Sequence, residues 1–433
     1  MAEQSLKDKT AKGLFWGGVS NGVQQLLGML FGIYLARTLN AEDYGLVGML
    51  AIFSGIASTI INSGFSVALT NKLDATHKDY NAVFWFSFVV SICLYIVLFF
   101  SAPLIASFYD RQELVNLSRV IFASFLFSGM AIVPHVILFK QLQVKMQAKI
   151  DVFALFLSGM CGVLLAFNGF AYWALAIQST VYVASASLLK WMVVSWRPSL
   201  DFSIEPLKEM FPFSVKLFLT NIFQQVNNNV FSVLLGKLYN ANVLGYYSQG
   251  NKWMTMGGSM LNNMINSVAQ PVFVQVNDDL ERQRNVFRKM VRFAAFVSFP
   301  AMLGLAFVAE EFICATIGNK WLESVPILQI LCVQGAIGPI IYPSSCLARE
   351  IGYVFICECV PWYITIGYIM AYCIFWYSLY GCCICAYLCI YVICVASFGL
   401  SIDSCPFGTI GARCVTLFGG YFVRLLCGIC LND

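Results

Sequence analysis

Long apolar runs separated by short polar breaks constrain this chain more than any other feature. The runs lie near 13–36, 44–68, 82–107, 116–139, 151–168, 171–195, 211–236, 243–271, 290–317 and 325–345. A helix of about 20 apolar residues crosses a bilayer core. Only 11% of the 433 residues are charged, against about 25% in soluble domains. We therefore predict an all-α integral membrane protein with about 12 transmembrane helices.

The positively charged residues indicate which helix ends face the cytoplasm. If the N-terminus is cytoplasmic, sixteen Lys and Arg residues fall in inner loops and five in outer loops. The five outer residues are Arg37, Arg111, Arg119, Lys237 and Lys320. This bias follows the positive-inside rule. We predict a multi-pass protein of the cytoplasmic (inner) membrane with its N-terminus in the cytoplasm.

An internal repeat relates the two halves of the chain. Six helices per copy would give both copies the same orientation, as in transporters built from parallel repeats, whose substrate site lies between the copies. We predict two six-helix bundles, residues 1–200 and 201–433, around a central cleft. Eight identities share an offset of 200 residues: Asn21/Asn221, Gln24/Gln224, Gln25/Gln225, Leu35/Leu235, Asn40/Asn240, Ala41/Ala241, Gly45/Gly245 and Asn62/Asn262.

Polar side chains recur inside the first two helices of each copy. One reading is hydrogen bonding between helices, at about 0.6 kcal/mol per contact. The other is a wet cavity, which the number of amides favours because unsatisfied amides cost several kcal/mol each in lipid. The predicted cavity residues are Lys252, Lys216, Asn21, Gln24, Asn62, Asn221, Gln224, Asn262 and Asn263.

The two lysines of this set suggest an anionic ligand. Lys252 lies about 13 Å into its predicted helix, where a charge is costly, and Lys216 lies roughly one turn from a helix end. A lysine facing a cavity suits a diphosphate or an acidic sugar. The alternative is that the side chain snorkels to the interface, which applies more to Lys216 than to Lys252.

Short motifs spread over roughly residues 10–340 resemble a known family. The resemblance is to the polysaccharide flippases of the multidrug/oligosaccharidyl-lipid/polysaccharide superfamily, most closely the lipopolysaccharide, colanic-acid and teichuronic-acid exporter branch. The matching stretches are Leu35-Ala36-Arg37, Asp43-Tyr44-Gly45, Ala102-Pro103-Leu104, Phe108-Tyr109, Gly169, Tyr172-Trp173-Ala174-Leu175, Gly245-Tyr246-Tyr247, Pro271-Val272-Phe273, Pro300, Gly304 and Gly318-Asn319-Lys320-Trp321.

This resemblance implies a flippase rather than an enzyme. It implies two six-helix bundles facing a cleft, and as cargo an undecaprenyl-diphosphate-linked oligosaccharide, such as an O-antigen precursor, moved from the cytoplasmic to the periplasmic face. The partners it implies are this lipid, the membrane and, by function, a glycan polymerase and glycosyltransferases. It implies no cofactor, metal or nucleic acid.

Two other functions fit the sequence less well. A drug or cation antiporter of the same superfamily usually carries an intramembrane carboxylate, and none lies between the ends of the first two helices of either half. A membrane enzyme acting on glycans needs acid and base groups gathered at one face. His77 and His135 lie apart, and the pair Glu310 and Glu311 sits at a helix end.

The last stretch, 346–433, departs from the family. It holds thirteen of the seventeen cysteines and lacks the basic loop that the repeat predicts near 340–350. Cys382-x-x-Cys385 and Cys427-x-x-Cys430 have the spacing of zinc ligands, but their apolar surroundings argue against a metal site, and disulfide frameworks belong to small secreted domains. We interpret the tail as the product of a shifted reading frame.

Overall fold

A computed structural model describes the backbone of residues 2–351 except 63, 201–202 and 276–279. Side chains are described over 16–339, apart from 63, 201–202, 265–281, 283–284 and 287. The segment Met1–Glu350 is one compact unit. The predictions about the cysteine pairs and the reading frame of the tail lie outside the described residues.

The described part of the chain is helical and contains no strand. Thirteen α-helices and one short 3₁₀ helix follow one another. The α-helices are α1 (Ala2–Thr38), α2 (Ala41–Met49), α3 (Ala51–Asn62), α4 (Phe65–Asn71), α5 (His77–Tyr109), α6 (Glu113–Lys140), α7 (Val144–Phe167), α8 (Tyr172–Val193), α9 (Glu205–Leu238), α10 (Ala241–Gln275), α11 (Leu280–Phe307), α12 (Ala309–Thr316) and α13 (Val325–Ile351), and the 3₁₀ helix is Asn319–Ser324.

Among the residues that the structure describes, six helical segments are long and apolar enough to cross a membrane, so the prediction of a multi-pass membrane protein is confirmed. Helices α1, α9 and α10 are 37, 34 and 35 residues long but are not among the six, because polar residues interrupt their apolar faces. The six segments are Ala41–Asn71, His77–Tyr109, Glu113–Lys140, Val144–Phe167, Arg288–Phe307 and Asn319–Pro339.

The helices make contacts both within each half of the chain and between the halves. In the first half α5 runs along α6, α8 packs on α6 and α7, and α1 packs on α7. In the second half α10 contacts α9 and α11. Between the halves α2 crosses α10, and α3, α4 and α5 lie against α9. The two seams between the halves are therefore formed by the helices that carry the predicted polar stripes.

The second predicted span, 44–68, is broken into three helices. The break before α4 lies at Gly64, whose φ of 71° places it in the left-handed region. A side chain there is strained, and a Cβ would also collide with the backbone of Ser214 in α9. The sequence shows one apolar run, and the glycine at its break lets the backbone of α9 approach closely.

We expect Gly64→Ala to destabilise the protein by about 1–2 kcal/mol, because an L-residue in the left-handed region is strained, with the clash against Ser214 adding to this. The measurement is the thermal unfolding midpoint of the detergent-purified chain. Gly258→Ala is the matched control. A Cβ at Gly258 meets no atom within 4 Å, so this variant should gain up to about 1 kcal/mol of helix propensity. Equal midpoints for the two variants would contradict this account.

Candidate functional site

The two halves touch most closely where α2 crosses α10. A Cβ at Gly45 would overlap the carbonyl of Ala241, and a Cβ at Gly245 would overlap the carbonyl of Ala41. These four residues are two of the pairs in the 200-residue repeat, and their contacts are reciprocal. Small residues let helix backbones meet in this way in membrane proteins. We call this contact the crossing.

Beside the crossing, the end of α1 is tied to the second half by two cations. The guanidinium of Arg37 donates to the carbonyls of Ala315 and Thr316, both at 2.7 Å, at the C-terminus of α12. The ammonium of Lys320 donates to the carbonyls of Arg37, at 2.8 Å, and Leu39, at 2.6 Å. Each cation thus satisfies carbonyls at the C-terminal end of a helix, where the helix dipole also favours positive charge.

A second contact ties the end of α9 to the first half. Lys237 pairs with Asp110 in the α5–α6 turn at 3.0 Å. Next to it, and within the first half, Arg111 pairs with Glu42 of α2 at 2.9 Å. Lys237 is the repeat counterpart of Arg37, so each of these two cations reaches into the opposite half. We call the contacts of Arg37, Lys320, Lys237 and Arg111 the clamp.

Trp321 anchors the clamp in the apolar core. Its side chain is fully buried and its indole N–H donates to the carbonyl of Ala36 at 2.8 Å. The rings of Tyr44 and Tyr246 meet it edge-on, at 5.5 and 5.9 Å between centroids. The clamp end of the structure is therefore closed.

At the opposite end, an ion cluster joins α4 to α9. Lys72 pairs with Glu209 at 2.6 Å and with Asp79 at 3.0 Å, and Lys140 donates to the carbonyls of Lys72 and Leu69. The hydrogen bond that Lys72 donates to Glu209, followed by the one that it donates to Asp79, raises the pKa of Lys72 above its usual value. Because Lys72 and Glu209 are partly exposed, water can replace this pairing with little loss.

Of the two predicted lysines, the structure places only Lys252 between the halves. Lys252 lies in α10 and is half-buried. Its ammonium rests on Gly32 of α1, where a Cβ would collide with it. Lys216 of α9 is exposed.

The predicted amides follow the seams without forming one compact cluster. Gln24 bonds to Ser20 within α1 at 2.9 Å, and Asn62 donates to the carbonyl of Ser58 in its own helix. Asn262 is half-buried. Asn21, Asn62, Asn221, Gln224 and Asn263 are exposed.

Two glutamines next to the predicted set do link the halves. Gln25 of α1 donates to the Ser259 hydroxyl of α10 at 2.9 Å. Gln225 of α9 lies against Gly55 of α3, where a Cβ would collide with it. Both seams thus contain amides, and the role of the nine predicted residues as a cavity lining stays a prediction.

Sequence reasoning missed the clamp, although a signal for it was present. Of the five cations that the charge bias places on the outer side, four form it: Arg37, Arg111, Lys237 and Lys320. The fifth, Arg119, stacks on the ring of Phe99 at 4.2 Å. The cations that depart from the positive-inside rule are therefore the ones that form ion pairs, hydrogen bonds or ring contacts in the structure.

Comparison with known proteins places the chain among polysaccharide biosynthesis proteins. Residues 34–326 match the family model described as polysaccharide biosynthesis protein. The teichuronic acid biosynthesis protein TuaB of Bacillus subtilis (strain 168) is 28% identical over 343 residues, 79% of this chain and 71% of TuaB. The lipopolysaccharide biosynthesis protein WzxC of Escherichia coli (strain K12) is 24% identical over 354 residues, 79% of this chain and 70% of WzxC.

Solved structures share the fold at low sequence identity. The lipid II flippase MurJ in an inward closed conformation superposes with a TM-score of 0.67 at 14% identity, covering 96% of this chain and 99% of MurJ. A MATE multidrug transporter in its inward-facing conformation gives 0.65 at 16% identity, covering 94% and 96%. The predicted family resemblance is confirmed, and the fold is that of these transporters.

We expect Gly45→Ala and Gly245→Ala to impair transport by the same amount, about tenfold or more, because each Cβ meets a backbone carbonyl that cannot swing away. Cell-surface polysaccharide, normalised to the amount of protein in the membrane, is the measurement. Gly28→Ala is the control, since a Cβ there meets no atom within 4 Å. Unequal effects of the first two variants would contradict the reciprocity of the crossing.

Proposed function

Because the chain belongs to the polysaccharide biosynthesis protein family, we propose that it is a flippase that moves a lipid-linked oligosaccharide across the cytoplasmic membrane. The proposed cargo is a polysaccharide precursor carried on undecaprenyl diphosphate. The names of TuaB and WzxC tie those relatives to teichuronic acid and lipopolysaccharide biosynthesis, and MurJ is named for flipping lipid II. These names support transport of a glycan lipid and favour it over an enzymatic role.

The proposal that the cargo is negatively charged rests on the position of Lys252. Its ammonium lies on α1 although its backbone belongs to α10, so it projects into the seam between the halves. A point charge on a flexible stem can follow a diphosphate as it moves. The exposed amides of α1, α3 and α9 supply hydrogen-bonding groups along the same seams.

We also propose that the chain is two parallel six-helix repeats, 1–200 and 201–433, making about 12 transmembrane helices. The reciprocal contacts of Gly45 and Gly245 support a two-fold relation between the halves. The proposed N-terminus is cytoplasmic and the membrane is the inner one. In support, the clamp gathers cations assigned to the outer side, whereas the cluster of Lys72 and Lys140 gathers cations assigned to the inner side.

In this orientation the clamp closes the periplasmic side. Release of the oligosaccharide requires the clamp to open and α2 to part from α10. The polar contacts of the clamp are partly exposed, so each contributes little, about 0–1 kcal/mol, and water can replace them. Alternating access then consists of rocking one half against the other.

An antiporter for drugs or cations fits the described carboxylates less well. Asp43 accepts the backbone N–H of Asn40 at the start of α2, and Asp79 accepts that of Thr76 at the start of α5. Both groups cap helices at the membrane surface. Lys252 offers a positive charge between the halves, and a positive charge suits an anionic cargo.

The proposed flippase acts with other proteins of the same biosynthesis. Glycosyltransferases supply its lipid-linked substrate, and a glycan polymerase consumes the oligosaccharide after transfer.

The shifted frame proposed for the tail is tested by sequencing the gene again, and an unshifted frame would refute it.

The proposed function predicts that deleting the gene makes lipid-linked oligosaccharide accumulate on the cytoplasmic face. If the tail is the product of a shifted reading frame, only the frame-corrected gene should clear the intermediate, and the substitutions that follow are made in that corrected frame. Lys252→Met should reduce clearance by at least about tenfold, which corresponds to about 1.4 kcal/mol, because the diphosphate loses its counter-charge. Lys216→Met is the matched control and should change clearance less than about twofold. Lys216 is exposed and lies eleven residues from the start of α9, deeper than the one turn that the sequence predicts, just as Lys252 lies eleven residues from the start of α10.

The measurement is the amount of lipid-linked oligosaccharide in membrane extracts at equal protein levels. If deleting the gene causes no accumulation of lipid-linked oligosaccharide, the transport assignment is refuted. Equal effects of the two lysine substitutions would leave transport standing and would refute the role given to Lys252.

A further inference from the structure

Several polar groups are buried without hydrogen-bond partners where the two halves meet, and three of them belong to α2 and α10. They are the hydroxyl of Tyr44 in α2, the side-chain amide of Gln249 in α10 and the indole N–H of Trp253, one turn further along α10. None of them bonds to any other described residue. Gln249 is 0% exposed and Trp253 4%. Such groups are costly to leave unpaired, so their presence here needs a reason.

Tyr44 and Gln249 meet across the seam, and Trp253 lies next to Gln249 along α10. The Gln249 amide lies beside the Tyr44 hydroxyl, but the pair does not reach hydrogen-bonding geometry. Gln249 and Trp253 are four residues apart and therefore lie on one face of α10. The ring of Trp253 meets that of Phe312 edge-on at 5.1 Å, and the ring of Tyr44 meets that of Trp321. We call Tyr44, Gln249 and Trp253 the buried polar set.

Packing does not require polarity at these positions, as the repeat shows. At the offset of 200 residues, Gln249 corresponds to Met49, Trp253 to Phe53 and Tyr44 to Leu244. Met49 and Leu244 are fully buried in the same crossing. Each set combines residues of both copies: Met49 and Phe53 with Leu244 are apolar, whereas Gln249 and Trp253 with Tyr44 can donate or accept hydrogen bonds.

The groups become available when the clamp end opens. Tyr44 belongs to the first half and the other two to the second, so separating α2 from α10 uncovers Tyr44 and Gln249, beside which Trp253 packs on Phe312 of its own half. Their chemistry is an amide and a hydroxyl, which both donate and accept, one N–H donor, and aromatic faces beside them. No charged side chain belongs to the set. This combination suits a neutral sugar ring, which offers hydroxyl groups and an apolar C–H face, better than it suits a phosphate.

We propose that the buried polar set is a sugar-binding site of the periplasmic gate, which engages the oligosaccharide as the gate opens. The proposal rests on the proposed function and names which part of the cargo binds here. Lys252 lies three residues beyond Gln249 on α10, about 4.5 Å further along the helix axis. In this arrangement the glycan contacts the buried polar set and the diphosphate contacts Lys252. The sugar therefore lies ahead of the diphosphate, on the side of the clamp.

The test compares two lipids on the full-length chain in nanodiscs. The probes are undecaprenyl diphosphate and the undecaprenyl-diphosphate-linked oligosaccharide extracted from the native host. The affinity of each is measured from the concentration dependence of the thermal unfolding midpoint. The wild type should bind the oligosaccharide-bearing lipid about tenfold more tightly than undecaprenyl diphosphate.

Gln249→Met installs the side chain that the first half carries at the equivalent position. It should abolish the tenfold preference, leave the affinity for undecaprenyl diphosphate unchanged, and keep or raise the unfolding midpoint without ligand, because an unpaired buried amide is removed. Tyr44→Phe removes only a hydroxyl and should reduce the preference in the same way. Met49→Leu, a substitution between apolar residues at the equivalent position, should retain it.

The outcomes separate the two proposals. If Gln249→Met and Tyr44→Phe both keep the tenfold preference, or if the wild type binds both lipids equally, the sugar site is refuted and the flippase stands. If the wild type binds neither lipid, the proposed function itself fails. Lys252→Met should weaken binding of both lipids alike, and a loss confined to the oligosaccharide-bearing lipid would reverse the assignment of the two ends.

Discussion

The backbone contact at the crossing is the constraint on which the rest of the structure depends. Only glycine lets the carbonyls of Ala41 and Ala241 lie where the side chains of Gly245 and Gly45 would stand. This closeness places the start of α2 against the start of α10 and thereby brings Tyr44 beside Gln249. It also sets the distance over which the cations of the clamp reach the opposite half. A wider crossing would leave these contacts unmade.

The contacts between the halves differ in kind from those inside each half. Within the first half, Leu35, Leu39, Ala166 and Ala174 form an apolar cluster that excludes water, and rearranging it is costly. Between the halves, the clamp and the cluster of Lys72 and Glu209 consist largely of charged and polar contacts near the surface. Water can substitute for such contacts. The apolar cluster around Trp321 also joins the halves, because it includes Ala36 and Ala41 of the first half. In the proposed mechanism, opening at the clamp end therefore exposes this shared cluster as well as the charged contacts.

The seams between the halves carry chemistry that a static bundle does not need. Lys252 reaches from α10 to α1, and Gln25 links the same two helices through Ser259. The buried polar set adds three groups without partners on the side of the clamp. Along α10 the amide of Gln249 precedes the charge of Lys252, an order that matches a sugar joined to a diphosphate.

The sequence by itself determined the membrane class, the positions of most helices and the family, because hydropathy, charge and short motifs are local properties of the chain. It also predicted the repeat, through identities such as Gly45/Gly245, and Lys252 as the stronger of two lysines. Only the tertiary structure showed that the break at Gly64 lies against the backbone of Ser214, since Ser214 belongs to another helix far along the chain. The clamp and the unpaired state of Gln249 likewise depend on residues far apart in the sequence. Burial and pairing are properties of the neighbours that the fold supplies, and no local pattern specifies them.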